Sequence, residues 1–450
     1  MKIVIIGGGE VGFHLAKLLS EDDHEITIIE SKHESVSRAQ NNLDVMVIEG
    51  NGASAQTLVE AGIKKADLLV AVSSIDEINI VSCMMAAKLF DGKKVARVRN
   101  YEYSANNAIL TADQLGIDLM IHPEKEAADE IIRLIERSAA NDVIEFSDGQ
   151  IQLLGVKIDQ NAPIVYKTLR EVGKDYESLT FRTVAIDRKG RTIAPGSEDV
   201  FMPNDQVFVI AKAESVPEVL KLTGKTETRI ENVMIFGGGR IGKLVAKELE
   251  KKSEMNIKII EPDSEKSFKI AEQLRKTLVL NADATDMDFL ANEGITDADV
   301  FLAVSNDQEK NIISTLLAKH LKVPKTIALV DKTDYLPIIS TIGVDVTVSN
   351  KMATVNAILK FILKGEVVSV ATLKGIETEA IEFIAQPNSK ITKKTINKLK
   401  FPKDAIIGSV ESDSSHEIIV PTGATQIHPY DRVVVFTLPK AIKEVNQFFA

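Results

Sequence analysis

Cysteine is almost absent: Cys83 is the only one in 450 residues. A lone thiol forms no intramolecular bridge and supplies no cysteine-based zinc site, which fits a reducing compartment. Long apolar runs are missing too. None reaches the roughly 18 residues that span a bilayer, so the chain is expected to meet a membrane only through a partner. No secretory leader is evident, because the apolar stretch Ile3 to Ile6 ends in three glycines and has the form of a buried strand entering a turn. Positive charge is in deficit, with 54 Lys and Arg against 65 Asp and Glu and a net charge of −11. Such a surface repels phosphate backbones, and without a basic block nucleic acid is excluded as a partner. The seven histidines form no His-x-x-x-His pair, and no paired carboxylates with evident geometry appear. Metal and hydrolytic chemistry therefore have no support.

What is present is a repeat. Ile3-Val4-Ile5-Ile6-Gly7-Gly8-Gly9-Glu10-Val11-Gly12 returns as Val233-Met234-Ile235-Phe236-Gly237-Gly238-Gly239-Arg240-Ile241-Gly242. The correspondence continues through Glu30 and Glu261, Ala71-Val72-Ser73 and Ala303-Val304-Ser305, and Asn79 and Asn311. A second, β-rich block follows each copy, and those blocks also match, Pro203 to Ile210 with Pro429 to Phe436. Length alone suggests about three domains; the repeat makes it four, in the order A-B-A′-B′.

Block A alternates short β-branched runs with helical stretches, and its strands are apolar nearly throughout. That pattern predicts an α/β fold, a doubly wound parallel sheet covered by helices on both faces. Block B, with turn signals at Asp187 to Gly190 and Ala194 to Ser197, reads as a small α+β module. The expected boundaries are 1–122, 141–225, 230–349 and 366–450, with connecting helices at 123–140 and about 351–364. A polar linker is expected from Thr223 to Thr228.

Gly7, Gly9 and Gly12 follow a strand and open a helix, with an acid, Glu30, at the end of the next strand. Gly7 permits the tight turn, Gly9 lets backbone N–H groups approach a pyrophosphate, and Gly12 allows close helix–strand packing. The helix N-terminus adds partial positive charge. Glu30 is placed to accept ribose hydroxyls and to repel a 2′-phosphate, favouring NAD or an adenine nucleotide over NADP, a preference that nearby Lys32 weakens. Arg97 and Arg99, near the switch point of the sheet, form a candidate phosphate-binding fork.

The second copy keeps Gly237, Gly238, Gly239, Gly242 and Glu261, but Leu329 and Asp331 stand where Arg97 and Arg99 do. Arg240 inside its loop is placed to reach phosphate where Glu10 is not. Either weak nucleotide binding or a retained fold without ligand fits this half. No histidine cluster supplies a proton-transferring group, and Cys83 reads as a buried, inert helix residue. Binding without turnover is the simpler account, with an NAD-dependent oxidoreductase as the alternative.

The whole arrangement resembles the TrkA subunits of bacterial and archaeal Trk potassium uptake systems, which carry two RCK (regulator of conductance of potassium) modules in tandem. The resemblance rests on Met1 to Gly12, Glu30, the Gly50-Asn51-Gly52-Ala53 loop, Ala96-Arg97-Val98-Arg99-Asn100 with Tyr103, and the duplicated order. It implies two Rossmann-like domains, each followed by an RCK C-terminal domain. It also implies a cytosolic regulator that binds NAD(H) and adenine nucleotides such as ADP or ATP. The family assembles as a ring, commonly a homotetramer, beneath a TrkH/TrkG-type membrane subunit whose potassium flux it modulates. The site residues it implies are Gly7, Gly8, Gly9, Glu10, Val11, Gly12, Glu30, Asn51, Ser73, Ser74 and Arg97, with Arg99 as a second arginine. In the second half they are Gly237, Gly238, Gly239, Arg240, Ile241 and Glu261. A nucleotide sensor with a different partner shares every feature read from the residues alone.

Overall fold

The computed structural model describes all residues except 22–23, 104–108, 137–139, 141, 147–148, 178, 226–229, 253, 333–334, 336–338, 340–341, 363–366, 373–378 and 450. Runs of Ile, Leu and Val make the strands of the first repeat: β1 (Lys2–Ile6), β2 (Glu25–Glu30), β3 (Met46–Glu49), β4 (Leu68–Ala71), β5 (Lys93–Arg97) and β6 (Leu119–Ile121). They form a parallel sheet ordered β3-β2-β1-β4-β5-β6. The order reverses between β1 and β4, where Ile6 lies opposite Ile29 on one side and Ala71 on the other. Open sheets of this kind take ligands at that crevice, outside the carboxyl ends of the strands.

Both faces of β1 are covered, which is why it reads as continuous apolar sequence rather than alternation. On one face Val4 and Ile6 join Leu58 of α3 (Ala55–Glu60) and Ile80 and Cys83 of α4 (Asp76–Ala86). Ile3 and Ile5 are also buried, as are Leu15 and Leu19 of the long helix α1 (Glu10–Glu21). Ser54 caps α3 by accepting from the Thr57 N–H, while α2 (His33–Asn42) buries only Val36 and Ala39.

The first follower module is antiparallel. Its strands are β7 (Asp142–Phe146), β8 (Ile151–Lys157), β9 (Phe181–Arg188), β10 (Arg191–Ile193) and β11 (Gln206–Lys212), ordered β10-β9-β11-β8-β7. Helix α6 (Leu169–Asp175) starts with a capping box between Thr168 and Glu171, and α7 (Val216–Leu222) ends the module. The polar stretch expected as a linker belongs partly to this module. Thr223 is buried, and Lys225 Nζ holds Asp159 at 2.5 Å; residues 226–228 lie outside the described residues.

The second repeat restates the plan. Strands β12 (Asn232–Phe236), β13 (Asn256–Ile260), β14 (Leu278–Leu280), β15 (Val300–Ala303), β16 (Lys325–Leu329) and β17 (Val346–Val348) are ordered β14-β13-β12-β15-β16-β17. Its helices are α8 (Arg240–Leu249), α9 (Ser264–Gln273), α10 (Met287–Asn292), α11 (Gln308–His320) and α12 (Asn350–Ile362), and aspartates 263, 286 and 307 cap α9 to α11. The last module holds β18 (Val367–Thr372), β19 (Glu379–Ile384), β20 (Ala405–Glu411), β21 (Ile418–Ile419) and β22 (Arg432–Thr437), with α13 (Ile442–Phe449) closing the chain. Its order is β18-β19-β22-β20-β21.

Faces of the two antiparallel sheets share one core, in which Phe146, Leu153, Val184 and Phe208 meet Ala380, Val434 and Phe436. Arg182 crosses the same seam, donating from Nη1 to the Ile407 carbonyl at 3.0 Å and from Nη2 to the Pro421 carbonyl.

By packing, the chain divides into two compact units, 1–129 with 348–362, and 130–347 with 363–450. The connecting helices are the reason. In the first unit α12 lies against α1 and β6. In the second, the end of α5 (Pro123–Glu136) is fastened by Lys325, whose buried Nζ donates to the carbonyls of Leu134 at 2.6 Å and Ala140 at 2.7 Å. A lysine at the helix C-terminus satisfies carbonyls that the helix itself leaves without donors.

Candidate functional site

The site is the crevice at the carboxyl ends of β1 and β4. Gly7 leaves β1 with φ +98°, a backbone that side chains rarely adopt, and a Cβ there would lie 2.8 Å from the Ser73 backbone. The loop is thus pressed against the residues that follow β4. A Cβ on Gly12 would lie 1.8 Å from the Gly7 carbonyl oxygen, so the first turn of α1 packs on the loop only without a side chain. Gly9 differs from both: nothing lies within 4 Å of where its Cβ would be, and the residue is exposed. Around Gly9 there is room for a phosphate group, next to first-turn N–H groups that have no acceptor within the helix.

Glu30 is tied into this loop. Its Oε2 accepts from the Gly8 N–H at 2.6 Å, and its Oε1 accepts from the N–H groups of Ser31 at 2.7 Å and Lys32 at 2.8 Å. Charge-assisted bonds of this kind fix the carboxylate and leave Oε2 one lone pair for a hydroxyl donor. The Glu30 carbonyl accepts from the Gly50 N–H at 2.9 Å, which brings the Asn51 loop alongside. The Asn51 side chain itself accepts from the Ala53 N–H at 3.0 Å and shapes its own turn.

On the other side of the loop, Arg97 Nη1 donates to the Ser73 carbonyl at 3.2 Å. Arg99, the second arginine of the expected fork, lies beyond β5, half exposed, with Nε on Glu124 Oε1 at 3.0 Å. Ser74 is exposed, and Val11 is buried, so Val11 can offer a ligand only its backbone.

A residue given no role in the sequence reading organises this corner. Asn79, fully buried on α4, accepts from the Ser73 N–H at 2.9 Å and donates Nδ2 to the carbonyls of Ser73 at 3.0 Å and Arg97 at 2.8 Å. Beside it, Asp76 Oδ2 accepts from the N–H groups of Arg99 at 2.9 Å and Asn100 at 2.8 Å. Asp76 and Asn79, in the polar first turn of a helix whose later turns are mostly apolar, were the available signal, and for Asn79 the match with Asn311 reinforces it. A second missed group is Arg38 of α2, which lies over the Phe13 ring at 4.2 Å and bonds Glu10. The Arg38 guanidinium holds the Glu10 carboxyl below the usual carboxylate range, against the effect of partial burial, and Lys351 and His14 add smaller pulls in the same direction.

In the second repeat the scaffold is kept and its lining changed. Gly237 has φ +103°, the Gly238 N–H donates to Glu261 Oε2 at 3.0 Å, and Asn311 repeats the bonds of Asn79 to Ser305 and to the Leu329 carbonyl. Gly239 also faces open space, Arg240 is exposed, and Ile241 is buried. Yet a Cβ on Gly238 would lie 2.1 Å from Ile270 Cδ1, whereas the nearest atom at Gly8 is Glu30 Cβ at 3.2 Å. Asp283, which takes the place of Asn51, is bridged by Lys310 at 2.8 Å, and Leu329 stands in the place of Arg97.

Two Rossmann lobes, each followed in the sequence by an antiparallel module, define the class as a tandem RCK-type chain. Its fold is shared with the GsuK RCK domain (TM-score 0.60, 19% identity, covering 100% of this chain and 94% of that one). It is shared equally with the NAD-bound GsuK channel (TM-score 0.60, 18% identity, covering 100% and 78%). The TrkA-N domain model matches residues 3–123 and 233–350, and the TrkA-C domain model matches 153–224 and 380–450. The chain belongs to the TrkA family. Relatives include Trk system potassium uptake protein TrkA homolog 1 of Methanosarcina mazei, 37% identical over the full length of both chains. Another is Trk system potassium uptake protein TrkA of Halomonas elongata, 32% identical over 100% of this chain and 98% of its own.

Proposed function

We propose that the chain is the cytosolic regulatory subunit of a Trk-type potassium uptake system. It binds NAD(H), and also ADP or ATP, at its first glycine loop and gates a TrkH/TrkG-type membrane subunit, assembling as a homotetrameric ring. It acts by binding, without turnover of the nucleotide. The observation that carries this reading is the open space at Gly9 beside a carboxylate that the Gly8 N–H holds at 2.6 Å. That geometry leaves a pyrophosphate the helix start and a ribose the acid. The full-length relationship to Trk system potassium uptake proteins supports a partner within such a system.

In this reading Gly9, Glu10 and Val11 offer backbone N–H groups, Glu30 takes ribose hydroxyls, and Arg97 supports the phosphates from the Ser73 side. Nucleotides that favour one arrangement of the ring over another shift its population, and differential affinity alone does so. Titration of the purified chain with NAD and ADP tests the site. Glu30→Gln and Arg97→Ala are each expected to weaken binding about tenfold or more, at roughly 1.4 kcal/mol per decade. Unchanged affinity in both variants overturns the assignment. Potassium uptake through the reconstituted pair tests the coupling, and flux indifferent to every nucleotide overturns it.

A further inference from the structure

Glu10, the first residue of α1, carries two cations on its carboxylate. Arg38 of α2 bonds its Oε1, and Lys351 Nζ stands 3.8 Å from its Oε2. Lys351 lies 341 residues further along the chain, since 351 − 10 = 341, on the connecting helix of the second repeat. Helix α12 brings it there by packing against α1 and β6 within the same compact unit.

We propose that Lys351 and Arg38 together form a phosphate-reading pair for the first glycine loop, held ready by Glu10 until a nucleotide arrives. The inference rests on the reading of that loop as a nucleotide site and extends it. Glu10 is an anion at the start of α1, where the partial positive charge of the helix also draws a phosphate. One carboxylate bracketed by two cations leaves that set of three with a net positive charge, and a phosphate of charge about −1 to −2 competes for the same two cations. The lysine side chain is 31% exposed and Glu10 42%, so both are able to swing toward a ligand without unpacking the lobe.

The second repeat supports the specificity of this arrangement. Aligning the helix starts Asn350 and Pro123 gives a shift of 227, which places Glu124 where Lys351 stands, and Glu124 is engaged with Arg99. Aligning Ser264 with His33 gives a shift of 231 and places Lys269 at the position of Arg38, while Arg240 replaces Glu10. No acid therefore stands at the Glu10 position of the second loop, and an acid replaces the lysine on the helix. With Arg240 in place of the carboxylate, the second loop does not repeat the cation–carboxylate–cation set at these positions.

The test uses the full chain and three probes, ADP, NAD and adenosine, titrated calorimetrically against wild type, Lys351→Gln, Lys351→Arg and Glu10→Gln. Lys351→Gln is expected to weaken ADP and NAD by about fivefold, the scale of a part-exposed ion pair, and to leave adenosine unchanged. Lys351→Arg restores the affinity, and Glu10→Gln tightens ADP by removing the competing carboxylate. Equal ADP affinity in wild type and Lys351→Gln overturns the proposal while leaving the nucleotide site standing. Equal losses for ADP and adenosine also overturn it, because they mean that the helix was merely displaced. A wild-type chain that takes up none of the three overturns the nucleotide reading and this proposal with it.

Discussion

Asn79 Nδ2 donates to the Arg97 carbonyl at 2.8 Å, and Asn311 does the same to the Leu329 carbonyl at 3.0 Å. One amide in each lobe joins the end of the fourth strand to the end of the fifth, whether or not an arginine follows. The bond therefore belongs to the scaffold, and the side chain it positions differs between lobes.

Replacing Asn79 by Leu strands the Ser73 N–H and takes a donor from the Arg97 carbonyl and from the Ser73 carbonyl, which keeps Arg97 Nη1. Unsatisfied buried groups cost about 1–3 kcal/mol each, partly recovered by relaxation. Hydrogen exchange is expected to show β4 and β5 opening more easily by about 2–3 kcal/mol, and nucleotide affinity is expected to fall with it. Asn311→Leu should loosen β15 and β16 equally while sparing binding at the first loop. Unaltered protection in both variants would contradict the scaffold role.

Gly9 and Gly12 separate binding from folding. Gly12→Ala places a methyl group 1.8 Å from the Gly7 carbonyl oxygen, so the loop must move, and a loss of about 2–4 kcal/mol in thermal or urea unfolding is expected. Gly9→Ala meets no atom within 4 Å and is expected to leave stability within about 1 kcal/mol of wild type while weakening NAD and ADP. A stable Gly12→Ala, or a Gly9→Ala that binds normally, would count against the assigned geometry.

Burial pushes the Cys83 thiol up to about 12, and the residue is wholly enclosed on α4. Maleimide labelling of the native chain is expected to be negligible and flat from pH 7 to 9, and fast once the first lobe is unfolded. A thiol with a raised folded-state pKa keeps its contribution below the unfolded value, near 8.5–9, and loses it progressively as pH climbs toward 12. Stability should accordingly fall above pH 9, and Cys83→Ala should flatten that part of the fall.

Arg182 is the polar fastening of the seam between the antiparallel modules, with its guanidinium on the Ile407 and Pro421 carbonyls. Burial lowers its pKa but leaves it charged at any ordinary pH. Arg182→Met is expected to lower the calorimetric midpoint of the second unit, at a cost of about 2–3 kcal/mol for two carbonyls left without donors. A midpoint equal to that of wild type would show that water replaces the guanidinium.

Much of this was legible in the residues. The glycine spacing assigned separate tasks to Gly7, Gly9 and Gly12, and the φ of +98°, the open space and the 1.8 Å approach correspond to them. Such tasks are local, set by backbone conformation within a dozen residues. Position near the switch point marked Arg97 and Arg99 together, but it does not reveal that β5 stops at Arg97 and that Arg99 reaches Glu124. Thr223 looked like linker because polar composition does not reveal that Lys225 reaches back to Asp159.

By itself the sequence determined the duplication, the parallel sheets and the position of each glycine loop, since periodicity and turn chemistry act between near neighbours. Only the tertiary structure decided which connecting helix belongs to which unit, and hence that Lys351 stands over Glu10 and that Lys325 closes the end of α5. Those pairings span 341 and 191 residues. Long-range partners are selected by how apolar faces pack and by which buried charges find partners, and neither leaves a mark in the local pattern.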